Sequence, residues 1–181
     1  KDIANDNGMI LFSTPFDSTA VDFLEKLKVP CYKIASYEAT DIPLLKKVAS
    51  TKKPVIMSVG FATLDEIELS ISTLRTHGAK DIVVLQCTTS YSDSPKPEFT
   101  NLSTMADIRR RFGVLSGFSD NMGGSDVPAL AAAMGASVIE KHIVVKHDKK
   151  ALDDKFSLDK EAFKKMVEMI RWQESVMGQV K

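Results

Sequence analysis

One pattern recurs along the chain and constrains it more than any other feature. A short apolar, β-branched run ends in small polar or charged residues, and an amphipathic helical stretch follows. The runs are MILFST (9–14), CYKIAS (31–36), PVIMSVG (54–60), DIVVLQCTT (81–89), GVLSGFSD (113–120) and ASVIEKH (136–142). Helical periodicity fills 18–27, 42–50, 63–77, 102–112, 125–134 and 159–176. Asp41-Ile42-Pro43 puts proline in a first turn, and Thr63-Leu64-Asp65-Glu66 has the form of a capping box.

Strands alternating with helices imply βαβ units and a parallel sheet. No Gly-x-Gly-x-x-Gly turn and no phosphate-loop lysine motif is present, so a dinucleotide or nucleoside-triphosphate fold gains no support. Polarity at the carboxyl end of every run is the informative feature: Ser13-Thr14, Ser36, Ser58, Thr88-Thr89, Ser119-Asp120 and Glu140-Lys141-His142. Strands polar at the same end suggest one shared mouth, as at the C-terminal face of a (β/α)8 TIM barrel. VIEKHIVV (138–145) then reads as a buried strand whose charges sit where it leaves the core. Six strands cannot close such a barrel, so a partial α/β barrel is expected over 1–181.

Lys plus Arg and Asp plus Glu are 24 each, which gives no sign of a nucleic-acid groove or an anionic membrane surface. No apolar run approaches the roughly 20 residues of a membrane span. The two cysteines, Cys31 and Cys87, sit in apolar strand contexts and read as reduced core residues of a cytoplasmic protein. KDIANDNG at the start resembles the tail of a helix already under way, as if the chain began inside a larger protein.

The mouth would offer Lys33 and Lys141, small hydroxyls, Glu38 and Glu140, an Asp120-Asn121 pair and His142. Lysines and hydroxyls from separate strands suit a small phosphorylated or carboxylated anion. His142 with Asp120 or Asn121 could hold a divalent metal. Each residue also has a plainer role open to it. Lys33 could snorkel to solvent, Lys141 could pair with Glu140 or Asp120, and the serines could cap βα turns. His77 fits a helix end and His147 a solvated loop.

FSTPFD, YKIASYE, PVIMSVGFATLDEI, QCTTSY, Ser119-Asp120, GASVIEKH and FSLD occur in this order and span the whole chain. Together they closely resemble the sialic-acid synthase family, which makes nine-carbon nonulosonic acids. That resemblance implies a (β/α)8 barrel followed by a small antifreeze-like domain, in a homodimer. Residues 1–181 would correspond to the third to eighth barrel strands, without the first two βα units or the antifreeze-like domain. An open sheet of this kind would have little activity alone and would aggregate or dimerise.

The implied reaction condenses phosphoenolpyruvate with a 2-acetamido or 2,4-diacetamido hexose and releases phosphate. Aligned with phosphoenolpyruvate are Thr14, Lys33, Ser36, Ser58, Thr89 and Ser119; Thr89 stands where many members have asparagine. Glu38, Tyr91 and Asp153 align with the sugar, and Lys33, Glu38 and Asp153 with catalysis. His142 and Asn121 align with the metal, expected to be Mn2+ or Mg2+. Asn121 departs from the usual histidine, which implies a looser metal site or one helped by Asp120. LDDKFSLD puts Asp154 on another usual histidine and Phe156 before Ser157, closest to pseudaminic acid synthases. Legionaminic, sialic and spore-coat sugars stay open. A Schiff-base aldolase using Lys33 or Lys141, or a non-catalytic barrel acting as a binding or assembly subunit, are the competing readings.

Overall fold

The computed structural model describes residues 1–89, 96–148 and 150–178. Its helices are α1 (Asp2–Asp6), α2 (Ser18–Lys26), α3 (Ile42–Ser50), α4 (Leu64–Thr76), α5 (Thr104–Phe112), α6 (Asp126–Ala133) and α7 (Lys160–Met177). Its strands are β1 (Tyr32–Ile34), β2 (Val55–Ser58), β3 (Ile82–Cys87), β4 (Leu115–Asp120), β5 (Ile139–Lys141), β6 (Ile143–Val144) and β7 (Leu158–Asp159). The strands β1-β2-β3-β4-β5 lie in sequence order in one sheet, and β6 and β7 pair in a second. Strand pairs β1–β2, β4–β5 and β6–β7 are parallel. Each strand of the large sheet lies beside its sequence neighbour, the connectivity of a (β/α) barrel. A doubly wound sheet would reverse direction at a switch point.

Local chemistry sets the helix starts. Asp17, Asp41 and Asp159 each accept a backbone N–H three residues on, at 2.8, 3.0 and 2.8 Å, and so satisfy donors that the first turn leaves open. The capping box forms as its sequence implies: Thr63 N–H donates to Glu66 at 2.7 Å, and Glu66 N–H donates to the Thr63 hydroxyl.

The chain divides into two compact units, residues 1–84 with 110–115, and residues 85–109 with 116–181. In the first, α3 packs against α2 and α4, and Leu45, Val48, Ile71 and Leu74 from these helices are buried. Tyr32 is fully buried, and its hydroxyl donates to Glu25 at 2.6 Å. Lys53 donates to the same carboxylate oxygen at 2.5 Å. Burial and the facing Glu25 push the Tyr32 phenol well above its ordinary value, so it stays a hydrogen-bond donor. In the second unit Leu102, Met105, Phe118 and Ala131 form a core, with Val127, Ala136 and Ile139 against it.

Two expectations need correction. MILFST (9–14) does not form a strand: it makes one parallel bridge, Ser13 to Tyr32, and Met9 and Ile10 are exposed. A strand needs a repeated ladder, which this run lacks. VIEKHIVV (138–145) is not one buried strand either. Its residues 139–141 belong to the large sheet at intermediate burial, while Ile143 and Val144 pair with FSLD in the small one. The break falls at His142, whose carbonyl accepts the Leu158 N–H at 2.9 Å, and Val145 is 91% exposed. Both cysteines are free thiols, as expected.

Gly117 in β4 marks the tightest backbone approach in the second unit. A Cβ there would run into the Val138 carbonyl oxygen and lie 2.7 Å from Leu85 Cδ2. Gly117→Ala should therefore cost about 1–3 kcal/mol, the usual penalty of overpacking. The urea unfolding midpoint of the complete protein will show it as a clear fall, and an unchanged midpoint would contradict this packing.

Candidate active site

In the first unit the carboxyl ends of β1 and β2 lie side by side. Lys33 pairs in register with Ile56, and Ile34 with Met57, so Ser58 continues β2 beside the turn that holds Ser36. Ser36 Oγ accepts the Gly60 N–H at 3.2 Å, which leaves its own proton to donate. Ser58 is 2% exposed, and its hydroxyl has no hydrogen-bond partner among the described residues. A buried hydroxyl without a partner costs free energy, and an anion would relieve that cost. Lys33 is also buried, with Nζ donating to the Ile34 carbonyl at 2.9 Å. Glu38 follows in a one-turn 3-10 segment, half-buried, with Oε2 unpartnered among the described residues. Thr14 is half-buried just after the Ser13 bridge. Tyr37 and Phe61 stack across the two turns, ring centroids 4.4 Å apart. Sequence reasoning passed over this stack, although both rings lie inside the motifs that carried the family resemblance.

The second unit answers why three ionisable residues follow one another after Ile139. Register pairs Ser119 with Glu140 and Asp120 with Lys141 across β4 and β5. Alternate strand residues face opposite sides, so each polar residue meets a polar partner on its own face. Ser119 Oγ donates to Glu140 Oε1 at 2.6 Å, and Lys141 Nζ lies 2.7 Å from Asp120 Oδ2. The Lys141 and Asp120 side chains are 1% and 0% exposed. Lys141 also donates to the Met122 carbonyl, and Asp120 Oδ1 accepts the Met122 N–H at 3.0 Å. Burial pushes the Asp120 carboxyl above its ordinary value, while the Lys141 bond pulls it back. Of the roles open to Lys141, the structural pair with Asp120 is the one formed.

Asn121 is buried; its Nδ2 donates to the Thr88 carbonyl at 2.9 Å and approaches Cys87 Sγ at 3.8 Å. Thr88, fully buried, carries a hydroxyl with no partner among the described residues, and Thr89 beside it is half-buried. The sequence reading named both threonines at the strand end and aligned only Thr89 with the anion; the burial of Thr88 is not disclosed by a string of polar residues. His142 Nδ1 lies 3.6 Å from Asp153 Oδ2, and its ring meets Phe156 edge-on at 5.0 Å. Tyr91 lies outside the described residues. His77 bonds the Thr73 carbonyl at its helix end, and His147 sits in an exposed loop, as expected, where it also pairs with Asp154 at 3.0 Å.

As metal donors, Asn121 keeps its amide oxygen available because its nitrogen faces Thr88, and His142 keeps Nε2 because Nδ1 faces Asp153. These suit a hard divalent cation with mixed oxygen and nitrogen ligands. Asp120 does not fit, because both its oxygens are engaged within the protein. The described residues contain no cluster of three or more His, Cys, Asp or Glu able to hold a metal. A cleft of about 480 Å³ lies elsewhere in the first unit, at the amino ends of the strands, between Cys31, Pro54, Arg75 and Lys80. Catalytic groups of barrel enzymes gather at the opposite strand ends.

Sequential parallel βα units with hydroxyls, acids and lysines at the strands' carboxyl ends give the chain the architecture of a partial (β/α) barrel. The chain belongs to the NeuB family, whose profile matches residues 1–181. It is 42% identical over 169 residues to a pseudaminic acid synthase of Helicobacter pylori, covering 93% of this chain and 49% of that protein. It is 37% identical over 182 residues to an N,N'-diacetyllegionaminic acid synthase of Legionella pneumophila, covering 98% and 51%. The crystal structure of an N-acetylneuraminic acid synthetase from Leptospira borgpetersenii superposes with a TM-score of 0.93 at 29% identity, over all of this chain and 62% of that one. The chain spans about half the length of the curated relatives it matches.

The buried ion pair gives a direct test. Lys141→Met leaves Asp120 buried and uncompensated, which should cost about 3–5 kcal/mol, and Lys141→Met with Asp120→Leu should recover much of it. In the single variant Asp120 keeps a raised pKa without its partner. The protonated form is then favoured on folding, so stability should fall as pH rises above the ordinary carboxylate range. Denaturant melts across pH in a double-mutant cycle measure both effects, and additive losses would contradict the pairing.

Proposed function

We propose that the complete protein condenses phosphoenolpyruvate with a 2,4-diacetamido hexose to give a nine-carbon nonulosonic acid of the pseudaminic type. The observation that carries the reading is the pair of hydroxyls at the ends of β1 and β2. Ser58 is buried with no partner among the described residues and Ser36 keeps a proton to donate, and buried Lys33 lies in β1, the strand that leads to Ser36. Such a cradle suits the phosphate or carboxylate of a small anion, with Thr14 as a further donor. Ser119 holds its place in this set differently, because its proton already goes to Glu140.

In this reading Glu38, Tyr91 and Asp153 meet the sugar. C3 of the enol attacks the aldehyde carbon of the open-chain sugar and forms the new carbon–carbon bond. Water adds at C2, and phosphate leaves with its bridging oxygen by C–O cleavage. Lys33 neutralises the anion, and Glu38 and Asp153 are placed to move protons at the sugar hydroxyls. A divalent cation, Mn2+ or Mg2+, held by His142 and Asn121, would act as a Lewis acid toward the aldehyde oxygen. The complete protein would act as a cytoplasmic homodimer on these small molecules, without nucleic acid or membrane. Among the described residues no helix is long and apolar enough to cross a membrane. This stretch would form the partial barrel domain, with two further βα units and an antifreeze-like domain outside it.

Incubation with phosphoenolpyruvate, Mn2+ and a panel of acetamido hexoses should release phosphate only when sugar and metal are both present. Phosphate release without sugar, or a borohydride-trapped pyruvate adduct, would contradict the mechanism in favour of hydrolysis or an imine. Asn121→His should tighten Mn2+ binding, since imidazole replaces a weaker amide oxygen, and calorimetric titration will detect the change. Affinity unchanged by that substitution would remove residue 121 from the metal site.

A further inference from the structure

Asp153 and Asp154 are neighbours with opposite fates. The Asp153 side chain is 59% exposed, and its carboxylate lies 3.6 Å from His142. A pair this open is worth about 0–1 kcal/mol and cannot by itself fix where the carboxylate points. Asp154 turns inward. Its side chain is 10% exposed, and Oδ1 accepts the Asp148 N–H at 2.8 Å and meets His147 Nδ1 at 3.0 Å. One carboxylate oxygen thus ties the chain just after β6 to the turn just before β7, whose parallel pairing closes the base of the same loop. The turn is tightened further by the Ser157 hydroxyl, which donates to the Asp153 carbonyl at 2.7 Å. Phe156, 3% exposed, holds the turn against the His142 ring. Charge-assisted bonds of this kind are about twice as strong as neutral ones, and here one partner is buried.

We propose that His147 and Asp154 are positioning residues for Asp153. They lock the loop between β6 and β7 so that the exposed carboxylate is held beside His142 at the sugar end of the site. This rests on the sugar-binding assignment of Asp153 made above. His147 and Asp154 touch neither substrate; they act through the backbone that carries Asp153. A misplacement of about 1 Å at such a group is enough to cost up to a hundredfold in rate.

The test uses the complete protein and measures KM separately for phosphoenolpyruvate and for the acetamido hexose it accepts. Asp154→Asn and His147→Ala should each lower kcat/KM for the sugar by about tenfold to a hundredfold and leave the KM for phosphoenolpyruvate unchanged. His147→Arg, which keeps a hydrogen-bond donor within reach of Asp154, should restore most of the loss. If Asp154→Asn fails to fold by circular dichroism, His147→Ala carries the test, because His147 is half-exposed and Asp154 keeps its bond from the Asp148 N–H. The proposal is overturned if Asp153→Asn impairs sugar use while His147→Ala does not. It is also overturned if the KM values for both substrates rise together, since that marks general damage. An Asp153→Asn variant with unchanged sugar kinetics would instead remove the sugar-site reading, and the positioning role with it.

Discussion

The cross-strand match of Ser119 with Glu140 and Asp120 with Lys141 is the constraint on which the second unit turns. A buried lysine or aspartate is costly alone, and one residue of slippage between β4 and β5 would leave both charges without partners. Register is therefore fixed by electrostatics as well as by the apolar positions Phe118 and Ile139. Gly117 belongs to the same device, because only a residue without Cβ lets β4 approach Val138 closely enough for the pairing to follow. Once the register is set, Asn121 continues from β4 into its bond with the Thr88 carbonyl, and His142 continues from β5 toward Asp153.

Much of this was legible in the sequence because the signals were local. The α3 range was read to the residue, with Pro43 in its first turn, and the Thr63–Glu66 box announced α4. Sequential βα spacing with polar strand ends was enough to call for a partial barrel. What stayed hidden depends on pairing across the chain. Two-residue strands such as β6 and β7 carry no periodicity, so FSLD read as a motif and not as a strand partner. MILFST had strand composition, yet composition does not supply a neighbour. The inward turn of Asp154 toward His147 was likewise invisible, because adjacent aspartates look alike until one is buried.

Hydroxyl groups at the strand ends divide by what they already do. Ser119 donates to Glu140 and Ser36 accepts from Gly60, while Ser58 and Thr88 are buried with no partner among the described residues. Native proteins keep few such orphans, and they concentrate where a ligand completes the bonding. Lys141 bears on the choice of chemistry as well. An amine held between Asp120 and the Met122 carbonyl is a poor nucleophile, which disfavours an imine mechanism through that residue.

The central claim is that an anion is bound at the carboxyl ends of β1 and β2. A crystal structure of the complete protein with a phosphoenolpyruvate analogue and Mn2+ tests it most directly. The account predicts the analogue's phosphate or carboxylate within hydrogen-bonding distance of the Ser36 and Ser58 hydroxyls. An anion seated instead in the cleft beside Cys31, Arg75 and Lys80, with Ser58 still unpartnered, would contradict it.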